Sequence, residues 1–316
     1  MTNKPPGSIR PVRLQPGMTI GIVAPSSPIR DPARETAGLK CLEVAGYRYV
    51  LADHIFDGHG YLAGMDKDRA ADFTAMFKRK DVDAIMCARG GYGAVRMVDL
   101  IDWEVVAAKP KPFIGFSDIT TLHMAFENRT GMVTHYGPML TSLGKGLEED
   151  ASGCFWNSLQ NAEPLGVLPT GGAEISTLVR GRADGRLAGG CITLLCMAAG
   201  TIDAPDFTGR IVVLEDIGDA VYRVDRCIMQ LIRACNLDKA AGIVIGTVTD
   251  WEKEENEPPV IVLDDVWRDL VATLGIPAVT GYPFGHIPNP LTIPLGCRGE
   301  MDAEAGTLEV LEGAVF

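Results

Sequence analysis

Between Thr19 and Gly115 short apolar runs alternate with segments of helical spacing, and this alternation restricts the possible folds more than any other feature of the chain. TIGIVAPSS reads as a strand ending in a turn, DPARETAGLKCLEVAG as a helix stopped by Gly46, and YRYVLA as the next strand. DKDRAADFTAMFKRKD follows as an amphipathic helix opened by acids. DAIMCA is a strand, RGGYGA a glycine turn, VRMVDLID a short helix and KPFIG a further strand. Strands that alternate with helices build βαβ units and a mostly parallel sheet covered by helices. Ligands in such sheets bind beyond the carboxyl ends of the strands. Ser26, Gly90, Gly91 and Ser117 all fall at such ends and are expected to line one cleft.

From about Asn161 to Gly185 the pattern weakens into NAEPLGVLPTGGAEISTLVRGRADG, rich in glycine, proline and turn residues, and a domain boundary is expected there. The division predicted is an N-terminal domain over residues 1–165, a linker over 166–185 and a C-terminal domain over 186–316. The second part opens on the apolar helix GGCITLLCMAAGT. It continues with the strand RIVVLED, the helix VYRVDRCIMQLIRAC, the strand AGIVIGTV, the helix VIVLDDVWRDLVATLG and the strands IPAVTG and GTLEVLEG. WEKEENEPP reads as a charged surface loop.

A net charge of −12 and no dense run of Lys or Arg argue against a nucleic-acid surface. No window reaches the roughly 18 consecutive apolar residues of a membrane span. The polar, Pro-rich start lacks the apolar core of a signal peptide, and the eight cysteines sit mostly inside apolar segments as small buried hydrophobes, so a cytoplasmic location is expected. The five histidines show no metal-ligand spacing, and no metal is expected. RGGYG is followed by no G-K-[ST], and G-x-G-x-x-G is absent, which weakens a nucleotide reading; no cofactor is expected.

The chemistry concentrates at KPFIGFSDIT. A serine at a strand-to-helix hinge is a favoured helix cap. The same turn, however, lifts a hydroxyl into a cleft beside N–H groups able to hold an oxyanion, as a nucleophile requires. A base is then needed. His123 falls on the apolar face of the following helix, His54 and His59 lie in a surface-type loop, and His135 ends an apolar run that could border the cleft. His286, in YPFGHIPNPLTIPLG, sits on a loop stiffened by Pro288 and Pro290, which suits a fixed general base. LEDIGD offers Glu215, Asp216 and Asp219 to orient it, and spacing does not choose among them. The glycine turn Arg89–Gly93 exposes backbone N–H groups suited to an oxyanion or phosphate.

Together GIVAPSSP, ARGGYGAVRMVDLID, KPFIGFSDITTLH, THYGPM, GGCITLLCMAAGT, VLEDIGDAVYRVDR and GHIPNPLTIPLG resemble the LD-carboxypeptidase family, serine peptidases that remove a terminal D-amino acid from murein tetrapeptides. The resemblance implies an α/β fold with a Rossmann/flavodoxin-like N-terminal domain and a smaller α/β C-terminal domain. It implies Ser117 as nucleophile, Glu215 as the acid and His286 as the base. It also implies an oxyanion hole from the backbone of Asp118 and of Gly90 or Gly91, and a homodimer. One departure is that Ile119 stands where the second glycine of G-x-S-x-G would be. A carboxypeptidase must hold its substrate's free carboxylate, and Arg89 and Arg226 are candidates by position.

Two other readings stay open. Microcin-immunity peptidases, sisters within this resemblance, cleave a peptide–nucleotide amide and need an aromatic such as Trp156 to stack on adenine. A non-catalytic binding protein of flavodoxin-like shape would be indifferent to Ser117→Ala. If the triad reading holds, Ser117 lies in the first domain and Glu215 and His286 in the second, so the site spans the interdomain cleft. The Ser117–His286 contact is then expected to stretch without ligand, while Glu215–His286 persists.

Overall fold

The structure, a computed structural model, describes residues 9–251 and 261–316. The charged stretch expected as a surface loop lies outside the described residues from position 252 onward, as do the first eight residues.

The first half forms the expected parallel sheet. Its strands are β1 (Thr19–Val23), β2 (Arg48–Leu51), β3 (Ala84–Cys87), β4 (Phe113–Gly115) and β5 (Thr134–Tyr136). β1 and β3 are buried throughout because helices cover both faces, which is why they read as unbroken apolar runs rather than alternating ones. Phe73, Phe77, Phe113 and Phe126 pack into one aromatic cluster at the centre of this core.

The second sheet is built from β6 (Gly166–Val167), β7 (Ser176–Val179), β8 (Arg182–Cys191), β9 (Arg210–Ile217), β10 (Gly242–Thr249) and β11 (Ala278–Gly285). After β12 (Ile293–Leu295), β13 (Arg298–Asp302) and β14 (Thr307–Val310) complete it. Its order is β6-β14-β13-β8-β9-β10-β11-β7. β8 to β11 run parallel, and the remaining pairs are antiparallel.

The stretch 166–185, expected as a linker, instead carries β6, β7 and the start of β8, an interior strand of this sheet. Its glycines differ: a Cβ on Gly185 would lie 2.6 Å from the Gly209 carbonyl oxygen, whereas Gly166 and Gly172 have nothing within 4 Å. Further along β8, beyond the expected linker, the packing is closer still. A Cβ on Gly189 would lie 2.0 Å from the Val213 carbonyl oxygen, and one on Gly190 would lie 2.7 Å from Thr120 Oγ1 and 3.0 Å from Tyr136 Cε2. Both take positive φ, 131° and 138°, which favours glycine. β8 thereby presses directly on the first domain.

β12 also departs from expectation. It leaves the second half of the chain and pairs antiparallel with β5, becoming the edge strand of the first sheet in the order β12-β5-β4-β3-β1-β2. The two domains are further joined by Arg129, whose Nε donates to Asp203 Oδ1 at 2.7 Å, by the Arg210–Glu127 pair, and by the Cys191 N–H donating to Thr120 Oγ1 at 3.1 Å.

Candidate active site

β4 ends at Gly115, and two residues later the backbone turns sharply. Ser117 adopts φ 66°, a left-handed conformation that costs a residue bearing a Cβ roughly 1–2 kcal/mol. The other described non-glycine residues with positive φ are Asn236 and Asp250, of types that tolerate it better. A short 3₁₀ turn over Ser117–Ile119 then feeds the helix Thr120–Thr130. Among the described residues the serine hydroxyl bonds to no backbone group of that turn. Instead Ser117 Oγ lies 2.8 Å from His286 Nε2, and His286 Nδ1 lies 2.7 Å from Glu215 Oε2. A carboxylate only accepts, so Nδ1–H donates to Glu215 and Nε2 is left to accept the serine proton. Phe116 packs against the imidazole with ring centroids 5.1 Å apart.

Sequence position left three acids open at the end of β9, and side-chain alternation separates them. Glu215, fully buried, points to His286. Asp216, on the opposite face, accepts from the Thr193 N–H and hydroxyl at 2.9 and 2.8 Å. Asp219 turns to Thr193 and Arg223. Burial raises the Asp216 carboxyl above the usual carboxylate range. Gly285, at φ 101°, is required beside this acid, since a Cβ there would meet Glu215 Oε2 at 2.5 Å.

Tyr136, not among the residues expected at the site, also belongs to it. Its hydroxyl donates to Glu215 Oε1 at 2.5 Å and accepts from the Ser117 N–H at 3.2 Å, so one buried phenol ties Ser117 and Glu215 together across the two domains. THYGPM carried a usable signal: along β5, Thr134 and Tyr136 share one face and His135 takes the other. His135 is fully buried and does not border the cleft, and among the described residues neither ring nitrogen has a hydrogen-bond partner. His123 is likewise core: Nε2–H donates to the Gly115 carbonyl at 2.8 Å, and Nδ1 lies 2.7 Å from the Thr134 hydroxyl. Burial lowers His123 to about 4 and His135 to about 3.

The expected stretching of the Ser117–His286 contact is not found. His286 lies on the loop between β11 in the second sheet and β12 in the first, so it is anchored to both domains at once. Tyr136 and the pairs around Arg129 and Arg210 hold the same boundary closed.

Gly90 abuts Ser117, its Cβ position lying 3.0 Å from Ser117 Cβ and 3.2 Å from Oγ, whereas a Cβ on Gly91 would meet Ser27 Oγ at 2.3 Å. Among the described residues no backbone acceptor takes the N–H of either glycine. The Asp118 carboxylate is buried and accepts from the Ser26 hydroxyl at 2.6 Å and the Ala94 N–H at 2.9 Å, which fastens the glycine turn to the serine turn. Burial raises its pKa. Arg89 lines the cleft holding Ser117 and His286, whereas Arg226 lies outside that cleft and sits over the Tyr222 ring at 6.0 Å. No group of His, Cys, Asp and Glu able to hold a metal ion occurs among the described residues. A serine bonded to a histidine that is bonded in turn to a buried acid is the arrangement of serine hydrolases.

The comparisons agree with that class. The LD-carboxypeptidase N-terminal domain matches residues 20–137, and the LD-carboxypeptidase C-terminal domain matches residues 184–301. The chain belongs to the LD-carboxypeptidase family. A Pseudomonas aeruginosa protein named murein tetrapeptide carboxypeptidase is 32% identical, over 84% of this chain and 87% of its own length. The crystal structure of a muramoyltetrapeptide carboxypeptidase from Oxalobacter formigenes superposes with a TM-score of 0.80 at 28% identity, covering 93% of this chain and 98% of that one. The Escherichia coli microcin C7 self-immunity protein is 24% identical, over 94% of each chain.

Proposed function

We propose that this protein is a serine-type LD-carboxypeptidase that releases the terminal D-alanine of murein tetrapeptides, and that Ser117, His286 and Glu215 are its triad. The observation that carries this reading is the unbroken chain from Ser117 Oγ through His286 to Glu215, at 2.8 and 2.7 Å, on a strained serine turn. His286 Nε2 takes the Ser117 proton as Oγ bonds to the scissile carbonyl carbon. The resulting oxyanion is held by the backbone N–H of Asp118 and of the Gly90–Gly91 turn. Collapse of this intermediate breaks the C–N bond, and His286 passes its proton to the departing D-amino acid. Water, deprotonated by the same imidazole, then attacks the acyl-serine ester and frees the shortened peptide. Glu215 keeps Nδ1 protonated and stabilises the imidazolium. Peptidoglycan recycling in the cytoplasm, as a homodimer, is the setting that the family resemblance suggests. Among the described residues no helix is long and apolar enough to cross a membrane.

The microcin-immunity reading lacks its stacking residue at the expected place, because Trp156 is stacked on Tyr47 at 5.2 Å within the first core. The test is incubation with murein tetrapeptide and detection of free D-alanine and tripeptide by mass spectrometry, with Ser117→Ala as control. Release by that variant at the wild-type rate would overturn the triad.

A further inference from the structure

The cleft that opens beside Ser117 and His286 has a volume of 510 Å³ and a charge opposite to that of the whole molecule. The chain carries −12, yet Arg30, Arg34, Arg89 and Lys145 all line this cleft against one carboxylate, Asp31. Asp31 is already engaged by Arg34, whose Nε lies 3.0 Å from its Oδ2. Arg30, Arg89 and Lys145 have no carboxylate partner among the described residues.

Arg89 is the innermost of these. Its Nε donates to the Gly90 carbonyl at 3.2 Å, and its Nη2 lies 3.7 Å from the Cβ position of Gly91. The guanidinium is therefore folded back over the same glycine turn whose other side abuts Ser117. Its Nη1 also donates to the Pro28 carbonyl at 3.4 Å, and among the described residues the Nη2 donors of this planar fork have no acceptor. Burial, and then the neighbouring Arg30 guanidinium, lower the pKa of Arg89. Two half-neighbouring cations without an intervening acid are mutually repulsive, and an anion between them removes that cost. A second cleft of 620 Å³ shares Phe116, His286 and Lys145 with the first and carries Glu148 beside the apolar Leu147 and Ile287, with no arginine among the described residues. The arginines thus gather in the cleft that holds Ser117.

We infer that Arg89 and Arg30 form the receptor for the free α-carboxylate of the departing C-terminal residue, and that this receptor restricts the protein to the last peptide bond. The inference rests on the carboxypeptidase reading above. A bidentate guanidinium–carboxylate contact supplies both charge and direction, fixing the terminal carboxylate one residue beyond the carbonyl that Ser117 attacks. Lys145, at the mouth where the two clefts meet, adds attraction without geometry.

The test uses the full chain carrying Ser117→Ala and three forms of one murein tetrapeptide: free acid, C-terminal amide, and a form amidated only at the side-chain carboxyl of the penultimate residue. Binding is measured by calorimetry. The free acid is expected to bind on the order of 100-fold more tightly than the C-terminal amide, as loss of a charge-assisted bidentate pair entails. The side-chain amide should bind like the free acid. Adding Arg89→Ala should remove the preference, Arg89→Lys should keep part of it, and Arg30→Ala should weaken it. With Ser117 intact, Arg89→Ala should lower kcat/KM for the acid by a larger factor than that for the amide. Circular dichroism checks that each variant is folded. Equal binding of acid and C-terminal amide, no measurable binding of the acid, or full preference retained without Arg89 and Arg30 would each overturn the receptor. So would loss of binding on the side-chain amide alone, or tighter binding of adenosine monophosphate than of the tetrapeptide. If wild-type protein cleaves no murein tetrapeptide the proposed function fails, and the binding comparison still decides on the receptor.

Discussion

Replacing Ser117 by glycine should make the protein more stable than replacing it by alanine, although both variants lose the nucleophile. At φ 66° the serine sits where a Cβ crowds the following carbonyl, at a cost of roughly 1–2 kcal/mol. Alanine keeps the Cβ and therefore the strain, whereas glycine removes both. Against that gain stands the greater backbone entropy of glycine in the unfolded chain, about 0.5–1 kcal/mol. The hydrogen bond from Oγ to His286 disappears in both variants, and the bond from the residue 117 N–H to Tyr136 is retained in both. At the midpoints of the two ranges the difference left is about 0.75 kcal/mol in favour of glycine, the surplus of relieved strain over entropy. Urea denaturation followed by circular dichroism resolves it as a shift in midpoint at constant slope. Turnover in both variants should drop by several orders of magnitude, since members of a triad act as a unit. If alanine proves as stable as glycine, the turn is unstrained, and the argument that the chain stores strain to present this hydroxyl fails.

Tyr136→Phe should lower stability by about 2 kcal/mol, because the buried Glu215 carboxylate loses a donor, and should lower kcat about tenfold with KM unchanged; an unaltered kcat would show that the phenol positions nothing. Gly90→Ala should leave the fold intact but reduce kcat by about 100-fold, as its Cβ would stand 3.0 Å from that of Ser117 and displace the nucleophile. The buried histidines set an acid limit: burial depresses His123 to about 4 and His135 to about 3 from 6.5, so the unfolded chain takes up protons that the folded chain refuses. Stability should thus be full above pH 6.5 and decline as pH falls toward 4, by about 1.4 kcal/mol per pH unit for each ring. A flat profile of denaturation midpoint between pH 7 and 5 would contradict this. EDTA should not inhibit hydrolysis, and loss of activity restored by zinc would mean that the histidines were misread.

The sequence alone determined the first domain and the candidate nucleophile. Runs such as TIGIV and AIMC are apolar on both faces because helices cover both faces of a parallel sheet, and this composition is local information. The serine at the end of β4 was legible for the same reason, since a glycine-flanked hinge between strand and helix is written in consecutive residues. Glu215 and His286 were singled out through family resemblance, because strand-end acids and loop histidines look alike until their distant neighbours are known.

The tertiary structure decided what depends on long-range approach. Gly185 fell in the expected linker because glycine signals both flexibility and close contact; only the position of Gly209, whose carbonyl oxygen a Cβ there would meet at 2.6 Å, shows that here it means contact. β12 is three residues long and pairs with a strand more than 150 positions earlier, so its crossing into the first sheet leaves no local periodicity. Tyr136 carries no local mark of its position, which arises from Ser117 and Glu215, brought to its hydroxyl from opposite sides of a domain boundary. Alternation along β9 then separated Glu215 from Asp216, a choice that exists only once one face of that strand has been turned toward His286.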